Sequence, residues 1–398
     1  MASNHFRDAV TRHAGRLSAL RRDLHSHPEL GFQEFRTAGI VARELSGLGL
    51  EVSTGVGKTG VVGVLEGGRP GKTVLARFDM DALPVTEQTG AAYASQTPGV
   101  MHACGHDGHV SIGLTVARML SDVRGELAGR VKFVFQPAEE GQGGAAAMIA
   151  DGVLENPRPD LALALHLWNE KPVGWVAIVP GPLFAGGDTF HVRLEGIGGH
   201  AALPDQTVDP VLAAAQVVTA LQSIVSRNVS PFEASVLSVT RIQAGEAFNV
   251  IPPYAELTGT LRTFKPEVRE RMVKRFEQVV RGVAEGMGCE AALQIDEVTP
   301  PVKNDPEAAR RLARMAERDF PDLDLDTGYQ SMVSEDMAYI LQKAPGVMML
   351  VGSANPEKGL TFGHHHPRFD FDERALSVGA ALMAQSILEL CGGDEDGN

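Results

Sequence analysis

TVLARFDMDALP (73–84) decides the fold: six residues dominated by apolar side chains run straight into two acids and a proline-ended turn. A short apolar run of this length, bounded by turn residues, reads as a strand buried on both faces. VKFVFQPAEEG (131–141) and LALALHLW (161–168) repeat the arrangement, an apolar run followed by acids or by a histidine, and VVGVL (61–65) adds a further run. Between them helical periodicity covers 6–24, 34–45 with Gly47 as a stop signal, 108–122 and 141–150. Strands alternating with helices argue for an α/β fold, a mostly parallel sheet with helices on both faces. In such sheets ligand sites form beyond the carboxyl ends of the strands. Asp79 and Asp81, Glu139 and Glu140, and His166 therefore converge on one edge.

The pattern changes near Asp188. TFHVRLEG, an Ala-rich helix over 208–227, SVLSVTRI, AELTGTLRT, a charged helix over 266–286 and AALQIDEV follow in the order β-α-β-β-α-β. That order is the signature of a ferredoxin-like α+β module. VMMLVG (347–352) then returns to a buried strand. The expected organisation is a first part of the larger domain at 1–187, an inserted domain at 188–299 and the remainder at 300–398, with only the tail GGDEDGN expected to be disordered.

Composition bounds the function. At 398 residues the chain exceeds one ordinary core, and 43% hydrophobic residues suffice for two. A net charge of −14 with no Lys/Arg-rich run argues against nucleic acid. The N-terminal segment does not read as a signal peptide, and no apolar run reaches the roughly 20 residues that span a bilayer. Three scattered cysteines, Cys104, Cys289 and Cys391, cannot form a disulfide framework and fit a reducing compartment, so a cytoplasmic protein is expected.

MHACGHDGH (101–109) packs three histidines, a cysteine and an aspartate into nine residues. Thiolate and imidazole are ligands that ions such as Zn²⁺ favour. Alone, the segment could be a loop ending in a helix cap at Asp107, and an EE pair could be a solvated helix start favoured by the helix dipole. After a buried strand, however, Glu139 and Glu140 can divide labour, one binding metal and the other moving a proton. His166 and the triplet His364, His365 and His366 are weak signals singly.

LHSHPELGFQE, DMDALPVTE, MHACGHDGH, PAEEG, LHLW, GGHAALP, FNVIP, SEDMAY and HHPRFDFDE occur in this order. Together they closely resemble the dinuclear metalloamidases that include hippurate hydrolase, indoleacetyl-amino-acid hydrolase and bacterial N-acyl-amino-acid amidohydrolases. The resemblance spans about Leu24 to Leu382. It implies a zinc-peptidase-like α/β domain with an inserted ferredoxin-like domain that commonly mediates dimerisation. It implies Cys104, His106, Glu140, His166 and His365 as ligands of two divalent ions (Zn²⁺, Mn²⁺, Co²⁺ or Ni²⁺), with Cys104 shared. His365 is singled out because the family places a ligand two residues before Pro367; the residues themselves leave all three histidines open. Glu139 resembles the general base and Asp81 the acid that orients a liganding histidine. Asp79 stands where related peptidases carry a histidine ligand. His200 resembles a histidine that reaches a partner subunit's site to stabilise an oxyanion, and Asn249 and Arg262 resemble residues that hold the substrate carboxylate. The implied reaction is hydrolysis of small N-acyl amino acids by a homodimer or homotetramer. The alternatives are a dipeptidase or carboxypeptidase, a deacetylase of amino-acid precursors, and a non-catalytic metal-binding relative.

Overall fold

The apolar runs become strands because both of their faces are covered: Val74, Leu75, Ala76, Val131, Phe133, Val134, Ala162, Leu163 and Ala164 are all fully buried. The computed structural model describes residues 5–392, which fall into two units, 5–183 with 303–329 and 336–392, and 184–302 with 330–335. Most of the GGDEDGN tail lies outside the described residues.

The larger unit begins with α1 (His5–Thr11), α2 (Ala14–Ser26) and α3 (Phe35–Gly47). The periodicity over 6–24 thus yields two helices, because Arg12 and His13 bond back three residues, to the carbonyls of Ala9 and Val10, and close the first helix in a tight turn. Then come β1 (Glu51–Val56), β2 (Gly60–Glu66), β3 (Arg69–Asp79), α4 (His106–Asp122), β4 (Ala128–Gln136), α5 (Gly144–Ala150), β5 (Leu161–Pro172), β6 (Trp175–Ala177) and β7 (Gly181–Phe184). The smaller unit holds β8 (Gly186–Glu195), β9 (Gly199–His200), α6 (Pro210–Ser223), β10 (Ser235–Ala244), β11 (Val250–Ile251), β12 (Tyr254–Thr263), α7 (Pro266–Gly286) and β13 (Glu290–Thr299). The chain ends with β14 (Val302–Asn304), α8 (Pro306–Asp319), β15 (Asp324–Asp326), α9 (Met337–Leu341), β16 (Gly346–Ala354) and α10 (Arg374–Cys391).

The large sheet has eight strands in the order β1-β2-β4-β3-β5-β16-β6-β15. Its centre, β4-β3-β5-β16, is parallel, and antiparallel pairs lie toward the edges. Because β3, β4 and β5 run the same way, Asp79, Gln136 and the end of β5 emerge on one edge. α10 is long and apolar enough to cross a bilayer, but it is 72% buried as a core helix.

The smaller unit is an antiparallel sheet in the order β10-β12-β8-β13, with α6 and α7 as its helices, which is the ferredoxin-like arrangement. Asp209 caps α6 by accepting the Val211 and Leu212 amides, with Pro210 at the first helical position. α7 buries one stripe, Val268, Met272, Phe276, Val279, Val280 and Ala284, in a core of its own. The unit's limits differ from 188–299: β8 already pairs Gly186 with Thr263, and Ser331 bridges Phe184, which brings 330–335 into the unit.

Candidate metal centre

Cys104 Sγ lies 3.5 Å from His166 Nε2, and these two atoms form a potential ligand group with His106. Cys104 also groups with Glu140 and His365, whose Oε1 and Nε2 are 3.2 Å apart. Within each group the donor atoms lie within 4.8 Å of one another. The five residues carried by the resemblance therefore gather into two triads that share the thiol. Gly105, at φ 90°, makes the turn that leaves Cys104 in the loop and starts α4 at His106.

The donor set fits divalent cations. His106 Nδ1 donates to the Asp81 carbonyl at 2.9 Å and lies 3.2 Å from Asp81 Oδ1, which leaves Nε2 as the nitrogen that would take a cation in place of a proton. That nitrogen is buried and has no hydrogen-bond partner, as a ligand atom should be. Burial disfavours charge on His106, yet Asp79 and Asp81 overcome it and raise its pKa to about 10. Burial, together with Glu140, Glu139 and Asp79, pushes the Cys104 thiol well up. Burial, His109 and His364 push His166 well down, so its imidazole is neutral and able to ligate. The surroundings of the thiol favour positive charge, and a bound cation inverts its protonation by stabilising the thiolate.

The two acids of the turn after β4 part company. Glu140 faces His365 and offers its own amide to Asp81 Oδ2 at 3.1 Å. Glu139 accepts the Asp336 amide at 3.3 Å and groups with His106 and Glu140. The turn between them and β4 holds Ala138 at φ 51°, a region that residues with a Cβ sparsely occupy.

The triplet separates by geometry. His364 lies against Trp168, with Nε2 2.9 Å from the Leu167 carbonyl, and burial lowers its pKa to about 4. His366 stacks on Phe362 and accepts the Arg368 amide. His365, at φ 66° and tied by its amide to Ala103, meets Glu140.

Behind the ligands stands a buried network that the sequence reading missed. Asp79 Oδ1 is 2.5 Å from His109 Nδ1, Oδ2 accepts Arg77 Nη1 at 2.7 Å, and Oδ2 lies 3.8 Å from His106 Nε2. Burial opposes its charge, but His106, His109 and Arg77 hold its carboxyl well below the usual carboxylate range. Arg77, fully buried within β3, also reaches Gln136 and Asp336. A cation inside an apolar strand was the available signal, since arginine is almost never fully buried without partners.

In the smaller unit His200 pairs with Val250, and the Asn249 carbonyl accepts the Ala201 amide, so His200 and Asn249 are neighbours beside one end of the sheet. That is the end where Tyr254 pairs with Glu195. Arg262 lies at the other end, opposite Gly187, with Nη1 2.6 Å from Ser334 Oγ. The eight steps of extended strand from Tyr254 to Arg262 span roughly 26 Å. Within one chain, then, Asn249 and Arg262 are apart.

Residues 75–389 match the model for peptidase family M20/M25/M40. The chain belongs to that family. An N-acetylcysteine deacetylase of Bacillus subtilis is 39% identical over 377 residues, covering 93% of this chain and 95% of that protein. An N-acetyldiaminopimelate deacetylase of Priestia megaterium is 39% identical over 369 residues, covering 92% and 96%. The crystal structure of a dinuclear metal binding M20 peptidase from Bacillus subtilis superposes with a TM-score of 0.83 at 35% identity, covering 96% of this chain and 99% of that one. As a member of the M20 family with deacetylase relatives, the chain is a hydrolase of amide bonds.

Proposed function

We propose that this M20 hydrolase cleaves the amide of small N-acyl amino acids with two divalent cations held by Cys104, His106, Glu140, His166 and His365. The observation that carries the reading is Cys104 standing in both potential ligand triads, with Glu139 at their edge. When bound, such a pair supplies Lewis acidity toward the amide carbonyl and toward water. Glu139 takes the proton of the attacking water as oxygen adds to the carbonyl carbon, and returns it to nitrogen as the C–N bond breaks. The Asp336 amide fixes the direction of its carboxylate. Asp81 fixes the His106 tautomer so that Nε2 faces the cation. Arg262, half-buried and hydrogen-bonded to a neutral serine, offers a fork for the substrate's free carboxylate.

His200 and Asn249 serve the centre of a second copy in this reading. A small substrate cannot touch both ends of one sheet, so the His200 end acts elsewhere and steadies the oxyanion there. A covering partner suits the exposed apolar residues of this unit, Val211 and Leu212 on α6, Ile242 on the edge strand β10, and Leu203, Phe248 and Val250 near His200. A dimer is the smallest assembly that satisfies this; a tetramer contains it. The named deacetylase relatives favour an acetyl group over the benzoyl group of hippurate. Turnover of N-acetylcysteine, N-acetyldiaminopimelate, hippurate and dipeptides, each after loading with Zn²⁺, Mn²⁺, Co²⁺ or Ni²⁺, tests the reading. Hydrolysis of dipeptides alone would overturn it.

A further inference from the structure

Glu34 is a fully buried acid that the mechanism above does not use. It occupies the position before α3 where a side chain ordinarily caps the helix, yet it makes no capping bond. Glu29 does that work instead, accepting the Arg36 amide at 2.8 Å and the Thr37 amide at 2.9 Å. Glu34 is thereby free to face the other way. Its Oε1 accepts the Ala138 amide at 2.9 Å and its Oε2 accepts the Thr59 hydroxyl at 2.5 Å.

Ala138 is the residue at φ 51° immediately before Glu139. A sparsely occupied backbone conformation persists only where its surroundings hold it. Here the hold comes from both sides of Glu139: Glu34 takes the amide before it, and Asp81 Oδ2 takes the amide after it, at Glu140. The segment carrying Glu34 is itself tied to that of Asp81, since Leu30 bridges Ala82 and the Ala82 amide bonds Glu29. Gly31 lets the same segment approach closely, for a Cβ there would stand 3.0 Å from Ala138 Cβ.

We propose that Glu34 is a positioning residue that clamps the strained Ala138 turn and so aims the Glu139 carboxylate, an inference that rests on the reading of Glu139 as base. The clamp requires an acceptor at a set reach rather than a negative charge. Glu34→Gln keeps an oxygen for the Ala138 amide, and the Thr59 hydroxyl can turn to accept from the new amide group. Glu34→Asp keeps the charge but withdraws the carboxylate by about 1.5 Å, one carbon–carbon bond.

The test combines steady-state kinetics, metal content and amide hydrogen exchange on the metal-loaded full chain. Glu34→Asp should lower kcat by roughly 10- to 100-fold, the scale of a misplaced catalytic group, with KM within about twofold of the parent. Glu34→Gln should stay within about threefold of the parent kcat, both variants should hold metal like the parent, and exchange at Ala138 should accelerate only in Glu34→Asp. A kcat preserved in Glu34→Asp, a Glu34→Gln variant as slow as Glu34→Asp, or metal loss that accounts for the slowing would each overturn the proposal. Should Glu34→Asp not fold, Thr59→Val loosens the same clamp, and unchanged kcat and exchange there would overturn it. If the parent turns over no N-acyl amino acid, the reading of the reaction fails, and exchange at Ala138 still decides the role of Glu34.

Discussion

Asp81→Asn should weaken metal binding although it changes no ligand. Asp81 is 2% exposed and its two oxygens serve two donors, Oδ1 toward His106 Nδ1 at 3.2 Å and Oδ2 for the Glu140 amide at 3.1 Å. An asparagine can turn its oxygen to only one of them and sets an N–H against the other. The asparagine keeps its oxygen for the Glu140 amide, for which no second acceptor is seen among the described residues, and turns its N–H toward His106 Nδ1, which is left with the Asp81 carbonyl at 2.9 Å. The loss is therefore about one buried hydrogen bond to a charged acceptor, on the order of 1.5–3 kcal/mol. That amounts to roughly 10- to 100-fold in affinity, the range measured when groups behind metal ligands are replaced. Competition with a chromophoric chelator for Zn²⁺ or Mn²⁺, run on parent and variant at one pH, reads it directly. Binding within twofold of the parent would refute the argument that Asp81 holds both ligands in place.

Glu139→Gln should leave metal bound while turnover falls by about 10² or more, checked by metal analysis beside a rate assay. His200→Ala and Glu139→Gln, each nearly inactive alone, should recover about a quarter of parent turnover when co-expressed, because random pairing makes half the dimers mixed and each mixed dimer has one intact site; no recovery would leave His200 without its partner role. Burial would raise the Asp372 pKa, but hydrogen bonds from Arg374, Asn355 and Lys358 hold that carboxyl well below its ordinary 3.8. A depressed folded-state pKa contributes stability that is present above the ordinary value and lost as pH falls through the folded value, so Asp372→Asn should flatten the fall in Tm on acidifying below about pH 5.

The strands that carry the centre were legible because strands buried on both faces must be apolar throughout, so β2, β3, β4, β5 and β16 stand out as runs. β1, mostly exposed, and β6 and β15, three residues each, leave no such trace. The β-α-β-β-α-β order was legible because each of its elements is long. Ligand types were legible from MHACGHDGH and PAEEG, but the choice among His364, His365 and His366 depends on the backbone at His365, which turns one ring toward Glu140 and its neighbours toward Trp168 and Phe362. Glu34, His109 and Asp336 carry no local signal of their roles, because those roles are contacts with residues 25 to 259 positions away.

Crystals grown or soaked with Mn²⁺ or Zn²⁺ and measured at the metal's absorption edge test the central claim most directly. Two anomalous peaks per chain are expected, both bonded to Cys104 Sγ (at about 2.3 Å for zinc), one completed by His106 and His166 and the other by Glu140 and His365. A single peak, or a pair that leaves Cys104 unbonded, would contradict the account.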